Sequence, residues 1–146
     1  IEKWLAEGKV VIADRFSTSN QIHQGGKIVD TTRRDSFLAW LEKMEHDVLG
    51  VPRPTGVIYL RIPVDTAQQL IREAKTVKNQ ELPEGEKDVA EKDRMYLERS
   101  FESAEHLSTN PLWRTVECMQ GDVLRTPEEI HEDVYSVVKL LVQSSQ

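Results

Sequence analysis

Asp14-Arg15 stands directly after a short apolar run, Val10-Val11-Ile12-Ala13, and is followed by Phe16-Ser17-Thr18-Ser19-Asn20-Gln21-Ile22-His23-Gln24-Gly25-Gly26. An arginine at the carboxyl end of a buried strand can grip phosphate oxygens through two parallel hydrogen bonds. A carboxylate beside it can orient it or hold a magnesium-bound water. In an open parallel sheet, ligands bind at that end of the strands. Ser19, Asn20, His23 and Gln24 recur at one-turn spacing. On a short helix they form a row of hydrogen-bonding side chains able to read a nucleobase edge and a sugar hydroxyl. The same residues also fit a surface salt bridge followed by a polar loop, because exposed Asp-Arg pairs are common and contribute little.

Such side chains act only if the chain holds them in place, and the surrounding pattern predicts how. Val10–Ala13 reads as a strand buried on both faces, as in a parallel sheet; Val57–Leu60, introduced by Pro52, Pro54 and Gly56, is a second such run, and Trp113–Cys118 a third. Between them the period turns helical. Ile1, Trp4 and Leu5 precede a stop at Gly8, while Phe37, Leu41, Met44 and Val48 form a stripe that Leu38 and Trp40 widen. Asp65 with Gln68 starts a helix whose apolar face is Ala67, Leu70, Ile71 and Ala74; a longer helix runs from about Val89 to Leu107. Thr126, Pro127 and Glu129 form a capping box ahead of a stripe at Ile130, Val134, Val137 and Leu141. Helices alternating with short apolar strands predict an α/β fold with a parallel sheet and flanking helices, a single domain over residues 1–146. Lys75–Lys87, polar and carrying Pro83 and Gly85, reads as a mobile loop, a lid over about residues 75–88.

The 146 residues are the size of one domain. Nineteen Lys and Arg against 25 Asp and Glu leave a net charge of -6, so no excess of cations exists to release phosphate counterions from nucleic acid. No apolar run approaches the roughly 18 residues of a membrane span. Cys118 is the only cysteine, which excludes intrachain disulfides and thiolate metal clusters and points to a reducing cytoplasm. The chain opens within a helical pattern and without methionine, which leads us to expect an N-terminal part beyond Ile1.

Val11-Ile12-Ala13-Asp14-Arg15-Phe16, then Ser19-Asn20 and His23-Gln24-Gly25, resembles the central signature of the thymidylate kinase family. There an apolar strand ends in Asp-Arg and an aromatic residue, and a serine-containing helix follows. Pro52-Arg53-Pro54 before Val57–Leu60 is similar to the family's turn into the next strand, with Thr55-Gly56 where an aspartate is usual. Ile62-Pro63, Glu91-Lys92-Asp93 and Tyr96-Leu97 look like the lid and post-lid helix of the bacterial branch, and Trp113–Cys118 with Thr126–Leu141 like its last strand and helix.

The resemblance implies a P-loop, nucleoside-monophosphate-kinase-like three-layer fold and transfer of the terminal phosphate of ATP to dTMP, with Mg2+. It implies that Arg15 clamps the acceptor phosphate while Asp14 organises it and, through water, the metal. Phe16, Ser19, Asn20, His23 and Gln24 would surround the thymine and deoxyribose, with His23 where tyrosine is common. Arg72, Lys75 and Lys78 would bring cations to the lid. It further implies a cytoplasmic homodimer paired through helices. The phosphate loop G-x-x-x-x-G-K-[ST] does not occur in these residues: Gly8-Lys9 and Gly26-Lys27 are followed by Val10 and Ile28. The expectation is therefore a C-terminal part of such a kinase, inactive alone.

Other signals have plainer readings. His46, His106 and His131 lack partners at metal spacing and read as surface or satisfied histidines. Glu84–Asp93 reads as a solvated loop and helix start, and Cys118 as core. Phe37 and Trp40 read as core or as a helical dimer surface. A kinase for another deoxynucleoside monophosphate or for a deoxynucleoside, and a non-catalytic binding module of the same fold, are the rival functions.

Overall fold

Val57–Arg61 forms strand β1, and Trp113–Glu117 forms β2 beside it in parallel, with Val57 opposite Trp113 and Arg61 opposite Glu117. The computed structural model describes residues 1–78 and 94–144, without the side chains of 75–78. Helices α4 (Val64–Lys78) and α5 (Arg94–Leu107) lie between these strands in sequence. Ahead of them come α1 (Glu2–Ala6), α2 (Ser17–Gly25) and α3 (Thr31–Glu42), the last running on as a π-helical turn over Lys43–Val48. After β2 a short antiparallel hairpin, β3 (Met119–Gln120) and β4 (Val123–Leu124), turns at Gly121 and leads into α6 (Pro127–Ser144). The chain is thus mixed α/β with a small parallel sheet and flanking helices.

The core is small: Ala104 of α5, Trp113 and Val116 of β2, and Cys118 are the buried apolar residues described. Helix α5 packs on both α2 and α4, and α6 packs on β2. Gly56 just before β1 lies under α6, and a Cβ there would meet the Leu141 side chain. Arg61 fastens the sheet to α5 through two hydrogen bonds to Glu105, 2.9 and 2.6 Å, and crosses to Glu117 on β2 at 3.1 Å. Tyr59 lies between these groups, and burial together with the Glu105 carboxylate pushes its hydroxyl pKa well up.

The structure departs from the sequence pattern at five places. Val10–Ala13 belongs to no strand, and Val10 and Ile12 are 60% and 75% exposed. β1 pairs only with β2, so no described strand lies beside that run to take its backbone hydrogen bonds or cover its faces. For the same reason β1 is half-buried, with Leu60 exposed, and is not covered on both faces. Asp65 does not cap α4. It lies in the first turn and accepts from Arg94 Nη1 of α5 at 2.6 Å, tying the two helices together.

The buried stripe of α3 also differs. Phe37, Leu38, Leu41 and Met44 are half-buried as expected and Arg34 and Glu45 are buried beside them, whereas Trp40 and Val48 are exposed. Val48 lies in the π turn, in which Leu49 N–H bonds to the Met44 carbonyl and which takes more residues per turn than the helix before it. Finally, residues 75–78 continue α4 and are not loop. Its apolar period extends through them, and the first helix breaker, Pro83, lies beyond. The rest of the expected lid, with Glu91-Lys92-Asp93, lies outside the described residues.

Other expectations match. Gly8 ends α1 with φ 73°, and Asp30 caps α3 by accepting from Arg33 N–H at 2.8 Å. The capping box of α6 is closed both ways: Glu129 N–H donates to Thr126 Oγ1 at 3.2 Å and Thr126 N–H to Glu129 Oε2 at 2.9 Å. The α6 stripe is half-buried, since it has only a two-stranded sheet to cover.

Candidate functional site

Arg15 is the one non-glycine residue with left-handed backbone among those described, at φ 64°. An L residue there costs roughly 1–2 kcal/mol, and such positions concentrate at binding sites. The turn it makes leaves Phe16 extended as the residue preceding α2 and places Ser17 at the start of that helix. Asp14 and Arg15 are both exposed, and neither side chain has a hydrogen bond or ion pair among the described residues. They do not neutralise each other, which leaves the guanidinium fork open to a ligand.

His23, two turns along α2, faces α5. Its ring stacks on Tyr96, with centroids 5.7 Å apart and planes 12° from parallel, and Nδ1 lies 3.4 Å from Ser100 Oγ. Burial, then the Arg15 guanidinium and then the Lys27 ammonium keep its pKa below 6.5, so near neutral pH the imidazole is uncharged. The helices meet this closely because Gly25 and Gly26 carry no side chain. A Cβ on Gly25 would stand 3.0 Å from Ser103 Oγ, and one on Gly26 2.8 Å from the Arg99 carbonyl oxygen. Ser103 Oγ, fully buried, donates to the Gln21 carbonyl at 3.4 Å.

Asn20 is engaged by a different element. Its Nδ2 donates to Glu45 Oε1 at 2.8 Å, on the π turn that extends α3. Gln24 Oε1 accepts from Lys27 Nζ at 2.9 Å, and Ser19 and Phe16 are half-buried. The expected row along α2 is therefore divided, with His23 directed to α5 and Asn20 to the end of α3. Arg72 is exposed on α4, while the side chains of Lys75 and Lys78 lie outside the described residues.

Two polar groups are orphaned in this region: Ser17 Oγ and Glu45 Oε2 are buried without a hydrogen-bond partner. Glu45 and Tyr96 contribute to the site in ways the sequence reading did not assign. An acidic residue in register with Leu38 and Leu41 was the available signal for Glu45. A cleft of about 410 Å³ opens between α2, α3 and the start of β2, lined by Thr18, Gln21, His46, Arg53 and Trp113 among others. A smaller, apolar one of about 160 Å³ lies between Ile22, Tyr59, Leu97 and Phe101. Asp14, Arg15 and His23 line neither.

The remaining histidines have partners. His46 Nδ1 lies 2.7 Å from the Val51 carbonyl, His106 Nε2 lies 2.9 Å from Asp35, and His131 stacks on Tyr135. Cys118 is buried, and burial raises its thiol pKa, an unreactive setting. Among the described residues no three His, Cys, Asp or Glu side chains gather closely enough to hold a metal ion. Asp14 could still accept from a water on Mg2+, an ion that keeps several waters and takes its remaining oxygens from substrate phosphates.

No family model, curated protein or solved structure matches the chain.

Proposed function

We propose that the chain is the acceptor-binding part of a thymidylate kinase with a P-loop nucleoside-monophosphate-kinase fold, taking dTMP as the substrate that ATP phosphorylates to dTDP in the cytoplasmic supply of dTTP. The observation that carries this reading is Arg15, held in left-handed backbone with its guanidinium unpaired among the described residues. Exposed and planar, it is suited to two oxygens of a phosphate monoester. The amides at the start of α2 lie next in sequence and favour the same anion.

His23, uncharged and flat against Tyr96, gives the deoxyribose an apolar ring to rest on without adding charge. Asn20 and Gln24 offer amides to the base. Asp14, next to Arg15 in sequence, would hold a water of the Mg2+ that accompanies ATP. That ion supplies charge neutralisation on the phosphate oxygens. The phosphate loop that cradles ATP is not in these residues, so they bind the acceptor without turning it over. Pairing of two copies through helices is part of the same reading, and the exposed Trp40 of α3 suits it.

Calorimetric titration of the chain with dTMP and with thymidine tests the assignment. dTMP should bind more tightly than thymidine, and Arg15→Ala should remove that difference. An Arg15→Ala variant that keeps the full preference for dTMP overturns the reading.

A further inference from the structure

The cleft of about 410 Å³ between α2, α3 and β2 has no part in the proposed nucleotide site, since Asp14, Arg15 and His23 do not line it. It opens at the amino ends of the parallel strands, where Pro54 lies just before β1 and Trp113 begins β2. Its volume is that of a small-molecule site, usually about 300 to 1,000 Å³. Leu38, Leu112 and the buried Trp113 give it an apolar wall. Glu42, His46 and Arg53 are the ionisable residues of its lining, and their hydrogen bonds decide what it can hold. His46 Nδ1 stands 2.7 Å from the Val51 carbonyl oxygen. A carbonyl only accepts, so Nδ1 carries the hydrogen. In the uncharged ring Nε2 is then a lone pair, and it has no partner among the described residues. Arg53 donates to Glu42 Oε1 at 2.6 Å and to Asp47 Oδ1 at 2.7 Å. Its fork is thereby spent within the protein, unlike that of Arg15, and two carboxylates against one guanidinium leave negative charge in excess. Glu42 Oε2 also has no partner among the described residues. Glu42 and His46 stand one turn apart where α3 passes into its π turn, a distortion frequent at functional sites, so their free acceptors are neighbours.

We infer that this cleft is a second ligand site, for a small organic amine with an apolar ring and a protonated amino group. The ring rests against Leu38, Leu112 and Trp113, while the ammonium donates to Glu42 Oε2 and His46 Nε2. An anion finds no unpaired cation among the described residues of the lining. A neutral alcohol brings one hydrogen to two acceptors and no charge to set against Glu42. The inference is independent of dTMP binding, because it uses none of the residues assigned to the nucleotide.

Benzylamine, benzyl alcohol and benzoate present one ring with an ammonium, a hydroxyl or a carboxylate, and NMR titration of the chain with each tests the site through the indole N–H signal of Trp113. Benzylamine should shift that signal saturably and bind about tenfold or more tightly than benzyl alcohol, with benzoate leaving it unmoved. Ala39 lines the cleft from an exposed position on α3, so Ala39→Phe should fill the cleft and abolish the shift while keeping the fold. Glu42→Gln keeps an oxygen for Arg53 but loses the charge, and should bring benzylamine to within about threefold of benzyl alcohol. No saturable shift with benzylamine overturns the inference, as does benzoate binding as tightly as the amine. Undiminished binding to Ala39→Phe overturns it too, by placing the amine elsewhere. A full preference for the amine in Glu42→Gln overturns the assignment of the ammonium to that carboxylate. If Glu42→Gln does not fold, the three ligands on the native chain and on Ala39→Phe still decide.

Discussion

Gly26 at the end of α2 lies against the backbone of Arg99 on α5, so close that a methyl group in place of its hydrogen would stand 2.8 Å from the Arg99 carbonyl oxygen and 3.0 Å from its carbon. Its φ of -60° is one any residue adopts, so the requirement for glycine is steric alone. A backbone carbonyl cannot swing aside as a side chain can. Gly26→Ala should therefore destabilise the protein by about 1–3 kcal/mol, the usual cost of overpacking. Gly25→Ala should cost less, because it meets the movable hydroxyl of Ser103 and the Leu38 side chain. Urea denaturation of the two variants measures both, and a Gly26→Ala protein as stable as the native one would show that α5 is not held at that distance.

Arg15 sets stability against binding. Its backbone at φ 64° is costly for an L residue and free of cost for glycine, and its exposed side chain has no partner among the described residues to lose. Arg15→Gly should raise stability by about 1 kcal/mol while abolishing the preference for dTMP over thymidine. Thermal unfolding and ligand titration of the same variant decide it. A destabilised variant would mean that the arginine side chain supports the fold and is not reserved for a ligand.

How far the sequence revealed this arrangement depends on how local the signal was. The capping box at Thr126, the stop at Gly8 and a short helix carrying Ser19 to Gln24 follow from neighbouring residues and are present, the helix running over Ser17–Gly25 where a polar loop was the alternative. Trp113–Glu117 was legible as a strand and pairs in parallel with Val57–Arg61. Val10–Ala13 was not correctly legible, because composition gives a preference for extended backbone but a strand exists only with a neighbour. The row from Ser19 to Gln24 was legible as one helix. Its division between His23 on Tyr96 and Asn20 on Glu45 depends on α5 and α3, which come from distant parts of the chain. Glu45 stands in register with Leu38 and Leu41, but an acidic residue at that spacing does not by itself announce burial against α2.

Thr126 and Glu129 hold the last helix from its start. Each side chain takes an N–H of the other residue, at 3.2 and 2.9 Å, so two orphan donors of α6 are satisfied reciprocally. Because α6 is only half-buried, packing cannot compensate fully for a lost cap. Thr126→Ala should cost about 1 kcal/mol, and adding Glu129→Ala should cost less than the two single changes summed, since both act on one motif. Chemical denaturation of the two singles and the double gives the coupling directly. Strict additivity would mean that the two hydrogen bonds do not support each other.

His23 makes stability and binding depend on pH in a defined direction. Burial, with Arg15 and Lys27 adding to it, holds its folded pKa below 6.5, the value it regains on unfolding. Between those two values the unfolded chain binds more protons, so stability rises with pH across that window. The contribution is fully present above pH 6.5 and is lost as pH falls through the folded-state pKa. Substituting His23 by Asn should flatten stability against pH below pH 6.5 without removing the fold. A phosphate seated on Arg15 would cancel part of the guanidinium's field, so dTMP should move the His23 pKa upward. Proton NMR titration of the His23 ring, alone and with dTMP, reads both effects. A free-protein pKa at or above 6.5 would remove the burial and charge account. An unmoved pKa on dTMP binding would place the nucleotide's phosphate away from Arg15.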